Sequence, residues 1–142
     1  DLRSDVSETA DLAATLREFI DRVRSRSGLD ITLTVDQGRR LPLVYERELW
    51  NIVREAVINV ERHAQATRAW VGWCSTDSTA SLSVRDNGVG ILFGADRVDA
   101  YGLVGMRERA AAIGASLSTE STPDGTVISV DLRIPPGAKT WD

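Results

Sequence analysis

A chain of 142 residues, 42% of them hydrophobic, is long enough for one domain with a core of its own and shows no sign of disorder or a repeat array. Its net charge of −4 argues against a dedicated nucleic-acid binder, which needs a basic excess to neutralise phosphates. The single cysteine, Cys74, excludes an internal disulfide and is expected to be a buried free thiol in a reducing cytoplasm, and no apolar run approaches the roughly 18 residues that span a bilayer.

Residues 1–10 read as a leading tail, and with Met106 as the one methionine the chain is expected to be a piece of a longer protein. From 11 to 26, Leu12, Leu16, Phe19, Ile20 and Val23 recur at helical spacing, with Gly28 as the stop. Ile31, Leu33 and Val35 alternate with Thr32 and Thr34, which predicts a short strand before a turn at Gln37-Gly38. A second helix is expected from about 45 to 64. Taking about 100° per residue from Glu55, Glu48 falls near 20°, Asn59 near 40° and Arg62 near −20°, so the four share a polar stripe. Leu49, Val53, Ala56, Val57 and Val60 form the apolar stripe opposite.

Strands follow at 68–76 and 80–85, joined by the polar turn Asp77-Ser78-Thr79. A loop from Asp86 to Tyr101 leads to a third helix, 103–113, closed by Gly114, and then to a strand pair at 115–119 and 126–134. The predicted fold class is α+β: a two-layer α/β sandwich with a mixed, mostly antiparallel sheet of about five strands and three main helices on one face. The domain is expected over 11–136, with tails at 1–10 and 137–142. Trp50, Trp70, Trp73 and Trp141 fall on different elements and read as core and edge packing.

Three sparse motifs carry chemistry. Taken alone, Asp86-Asn87-Gly88-Val89-Gly90 is a common turn, but an irregular loop over 91–101 follows it in place of a pairing strand. An aspartate there accepts the exocyclic amine of adenine, whereas guanine would set a carbonyl against the carboxylate. Gly88 and Gly90, without a β-carbon, would let backbone approach a flat base. Asn59 offers a carboxamide oxygen to a hard cation such as magnesium, which takes few protein ligands, and Glu55 one turn earlier would orient a coordinated water. Singly, each is an ordinary solvated helix face. Gly102 and Gly105 open the third helix, whose free amides and dipole favour a triphosphate. His63, the one histidine, supplies neither a metal cluster nor a catalytic pair and lies at the edge of the polar stripe. In this order the motifs describe a pocket for ATP with Mg2+.

The run Arg54-Glu55-Ala56-Val57-Ile58-Asn59-Val60-Glu61-Arg62-His63-Ala64 resembles the N box of the GHKL (Bergerat-fold) ATPase superfamily, in the form found in bacterial sensor histidine kinases. Asp86 to Gly90 resembles its first glycine box, Tyr101-Gly102-Leu103-Val104-Gly105-Met106-Arg107-Glu108-Arg109-Ala110 its second, and Gly125-Thr126 its last. The Gly-Met-Arg-Glu-Arg-Ala run is typical of kinases paired with NarL/LuxR-type response regulators. The likeness extends from about residue 11 to 135. It implies nucleotide held between the helix layer and a mobile lid at 91–101. It assigns Mg2+ to Asn59, the support of its water shell to Glu55, and phosphate or ribose contacts to Arg62 and His63. Asp86 would read adenine with Thr126 bracing it, and Gly88, Gly90, Gly102, Leu103, Gly105 and Met106 would line the nucleotide. Three positions depart from the family pattern: Arg62 stands for the usual lysine, Tyr101 for histidine or phenylalanine, and Asp124 near a usual second glycine.

The resemblance implies a histidine kinase that is not self-sufficient, since the phosphoacceptor histidine of such kinases lies in a separate dimerisation segment, and His63 is in the N box. Its expected partners are its own upstream dimerisation domain, which makes the longer protein a homodimer, and a response regulator. The expected location is the cytoplasm, free or as the inner part of a membrane protein. Two alternatives share the fold: a noncatalytic nucleotide sensor, and the serine kinase of an anti-sigma-factor system.

Overall fold

The structure, a computed structural model, describes residues 5–90 and 101–136. The expected lid, apart from Tyr101, and Trp141 lie outside the described residues.

Helix α1 (Leu12–Ser27) starts at Asp11, whose carboxylate accepts the Ala14 amide, and stops at Gly28 with φ +70°. A left-handed stop of this kind favours glycine because it has no β-carbon to collide with the preceding turn. Strand β1 (Asp30–Gln37) leads to α2 (Leu43–His63). Helix α2 begins two residues earlier than its hydrophobic periodicity suggested, because Pro42 sits at the cap, where its missing N–H costs nothing. Strands β2 (Arg68–Ser75) and β3 (Thr79–Asp86) form a hairpin. Helix α3 (Leu103–Ala112) and the hairpin of β4 (Ser116–Thr122) and β5 (Gly125–Arg133) complete the fold.

The five strands are ordered β1-β2-β3-β5-β4. Only β1 and β2 run parallel, which requires a crossover between them, and α2 provides it. β4 runs three residues beyond expectation: its Ser/Thr/Glu sequence lacks an apolar alternation, yet pairing with β5 carries it to Thr122.

The core lies between sheet and helices. Leu12, Leu16, Phe19, Ile20 and Val23 of α1 meet the predicted α2 stripe, with Phe19 edge-on to Trp50 at 5.0 Å. Ala69, Val71 and Trp73, then Leu82 and Val84, then Ile128 and Val130 face them from the sheet. Strand alternation puts the intervening residues outside, and this corrects one expectation. Cys74 shares the outer face with Trp70 and Gly72 and is exposed, because the apolar stretch around it is a half-buried strand whose period of two decides which members are inside.

Candidate nucleotide-binding site

The site is organised around the last two turns of α2. Asn59 is 3% exposed, and its Nδ2 donates to the Tyr101 carbonyl at 2.6 Å. A backbone carbonyl only accepts, so the amide nitrogen must face it, and the carboxamide oxygen is directed elsewhere. One turn on, His63 meets the Tyr101 ring edge-on at 5.0 Å. Two more members of the polar stripe also face α3: Glu48 pairs with Arg109 at 3.2 Å, and the Glu55 carboxyl group lies 3.2 Å from where a β-carbon on Gly102 would stand. Arg62 is exposed.

The same helix end holds the first glycine motif. The Ala64 carbonyl accepts the Val89 amide at 2.9 Å, and a β-carbon on Gly88 would lie 2.1 Å from that oxygen. Gly90, with φ +81°, approaches the Thr122 carbonyl, 2.0 Å from where its β-carbon would be. These two glycines therefore each make room for a backbone carbonyl of the protein itself. Asn87 fastens the loop: its Oδ1 accepts the Thr67 and Arg68 amides at 3.0 and 2.9 Å.

Asp86 ends β3 on the inner face, 4% exposed, in line with Val84 and Leu82. Its Oδ1 accepts the Gly88 amide at 2.7 Å. Burial raises its pKa above the ordinary aspartate value, and hydrogen bonds from the Gly88 and Thr126 amides pull it back part of the way. Thr126 is itself buried, with its hydroxyl 3.0 Å from that of Ser121.

At α3, Gly102 opens the helix with φ +70°. Gly105 differs from the other motif glycines in that nothing described lies within 4 Å of where its β-carbon would be; its φ, like that of Gly88, is not positive. Leu103 is half-buried against the core, and Met106 is within it, its amide spent on the Gly102 carbonyl.

The structure thus gathers Glu55, Asn59 and His63 with Tyr101 and Gly102 on one side, and Asp86, Gly88, Gly90 and Thr126 on the other. The two groups share the turn from Asn59 to Ala64. A cavity of about 270 Å³ opens at the strand end, lined among others by Trp70, Arg85, Asp86, Asn87, Glu120 and Asp124. Its walls include outward-facing side chains of the sheet as well as Asp86, whose carboxylate is bonded to the Gly88 amide.

Sequence reasoning missed Asn87, Ser121 and Ala64. Asn87 carried a signal, since asparagine commonly binds backbone amides in turns. Ala64 and Ser121 carried none, because they act through a carbonyl and a lone hydroxyl.

No protein-family model matches the chain. It is 33% identical over 141 residues to the nitrate/nitrite sensor protein NarQ of Escherichia coli (strain K12), covering 94% of this chain and 24% of NarQ. It is 34% identical over 134 residues to the sensor histidine kinase LiaS of Bacillus subtilis (strain 168), covering 94% of this chain and 37% of LiaS. The chain belongs to the sensor histidine kinases. The Erythrobacter litoralis EL346 blue-light activated histidine kinase superposes with a TM-score of 0.71 at 20% identity, over 87% of this chain and 42% of that one. The ATP binding domain of PrrB from Mycobacterium tuberculosis gives 0.64 at 24% identity, over 84% and 90%. At that identity the two structures speak for the fold. This histidine kinase domain spans about a quarter to a third of its curated relatives' length, and among its described residues no helix is long and apolar enough to cross a membrane.

Proposed function

We propose that this domain binds Mg-ATP and presents the γ-phosphate to a histidine on a separate phosphoacceptor segment. The observation that carries the reading is the Asp86 carboxylate, enclosed at the end of β3 and fixed by the Gly88 and Thr126 amides, beside the helix turn that bears Asn59. A buried carboxylate with acceptor capacity to spare suits the amine of adenine and disfavours the carbonyl of guanine.

The donor set fits the rest of the ligand. ATP supplies the phosphoryl group, and magnesium neutralises charge on its oxygens. Asn59, with its nitrogen engaged by Tyr101, has its carboxamide oxygen as the group for the metal. Glu55 is one helical turn away and would orient water coordinated to the metal. Arg62 and His63 extend the site toward phosphates or ribose. At Gly105, where no described atom lies within 4 Å of a β-carbon position, a triphosphate could approach the backbone without a side chain between them. Leu103 contributes apolar wall, while Met106 supports from the core. Catalysis by such an arrangement is positioning and charge neutralisation.

On this reading the partners are an upstream dimerisation segment with the acceptor histidine and a NarL/LuxR-type response regulator, and the domain works in the cytoplasm. The test is direct. Asp86→Ala should weaken ATP binding by about 1.5–3 kcal/mol, the worth of a hydrogen bond to a charged group. Asn59→Ala should chiefly remove the magnesium dependence of binding. Equal ATP affinity in parent and Asp86→Ala refutes the adenine assignment. Binding without transfer of acid-labile phosphate to a histidine-bearing dimerisation segment would instead mark a nucleotide sensor.

A further inference from the structure

Glu46 is a carboxylate that nucleotide binding does not use, and it is wholly enclosed in the first turn of α2. Its Oε1 accepts the Leu12 amide at 3.1 Å and Arg40 Nε at 3.0 Å, and its Oε2 accepts the Leu41 amide at 3.2 Å. One side chain thereby ties the start of α1 to the start of α2. Burial raises its pKa, and the charge and hydrogen bond of Arg40, with the two amides, oppose that rise. A buried carboxylate deprived of such partners is costly, so Arg40 is held in place.

The other end of that guanidinium reaches outward. Arg40 Nη1 donates to the Glu8 carbonyl at 2.9 Å, and Nη2 donates to the Ser7 carbonyl. On the N-terminal side of this grip the leading segment is anchored again. Val6 is 2% exposed in the core, and the Thr15 hydroxyl donates to the Asp5 carbonyl at 3.3 Å. A planar fork serves Glu46 and two carbonyls together, which the compact ammonium of lysine cannot do.

We propose that Arg40 and Glu46 form a latch that fixes the backbone of residues 5–10 on the start of α2, and so sets the direction in which any upstream chain meets the domain. The latch stands independently of the nucleotide. Its consequence, that these two are positioning residues for phosphotransfer, rests on the kinase reading above.

Hydrogen exchange on the 142-residue chain tests the latch. The Ser7 amide bonds the Ala10 carbonyl at 2.8 Å, and the Ala10 amide bonds Ser7 Oγ at 3.1 Å, so both report on the segment. In Arg40→Lys, which keeps a cation beside Glu46, these two amides should exchange about tenfold faster while α2 and the sheet keep their parent rates. In Arg40→Met the Leu12 and Leu41 amides should loosen as well. Parent protection at Ser7 and Ala10 in either variant overturns the latch.

Positioning is tested in the protein extended upstream to its phosphoacceptor histidine. There Arg40→Lys should slow phosphotransfer about tenfold with Mg-ATP affinity unchanged, because geometry is lost and the pocket is intact. An unchanged rate overturns the positioning role. Failure of the parent itself to bind Mg-ATP overturns the kinase reading, and the exchange rates still decide the latch.

Discussion

At the scale of single residues, burial sets the chemistry of Asp86. Because its folded pKa is raised, the folded chain holds the proton more tightly than the unfolded chain. Stability therefore falls as pH rises from the ordinary aspartate range through the folded value. ATP binding runs the opposite way, since the ionised carboxylate is the better acceptor: affinity should drop as pH falls through the same window. Nucleotide titrations across acidic pH should show that drop in the parent and a flatter profile in Asp86→Asn. The glycines divide in a testable manner too. Gly88→Ala drives a methyl group against the Ala64 carbonyl and should cost about 1–3 kcal/mol or more in urea denaturation. Gly105→Ala meets nothing described and should stabilise α3 by up to about 1 kcal/mol while weakening ATP binding. Loss of stability without loss of affinity at Gly105 would mean that the helix, and not a ligand, needs that glycine.

Among the elements, α1 is fixed at both ends, by Asp11 and by Gly28. Nothing lies within 4 Å of a β-carbon on Gly28, so Gly28→Ala isolates the cost of the left-handed backbone, about 1–2 kcal/mol, and Gly28→Asn should recover part of it. Thermal melts of the two variants provide the comparison. This helix was legible in the sequence because its apolar period and its stop are local signals. The α2 stripe from Glu48 to Arg62 was equally legible as a face, but what it faces was not. Whether it met solvent or α3 depends on Arg109, Tyr101 and Gly102, more than forty residues away. Cys74 failed for a related reason: composition marked its neighbourhood as apolar, while the alternation that exposes it requires knowing that Trp73 points inward. The glycine motifs were found by their order, yet the close approach of Gly88 and Gly90 to the Ala64 and Thr122 carbonyls is one that no local pattern announces.

For the molecule as a whole, the leading segment belongs to the folded unit. Removing residues 1–10 strips Val6 from the core and the carbonyls from Arg40, and should lower stability by about 1.5–3 kcal/mol for the valine alone, read as a lower urea midpoint. A midpoint equal to the parent's would mean that the segment rides on the surface without contributing. The sheet divides the molecule into two sides, a helix side that carries Asp86 and an open side that carries Cys74. In register, Asp86 lies opposite Ala69 and Cys74 lies five positions further along β2, about 17 Å away. A single exposed thiol at that remove is a ready attachment point for a maleimide dye. Labelled there without any engineered cysteine, the domain can be tethered or followed by fluorescence while the nucleotide face stays chemically untouched.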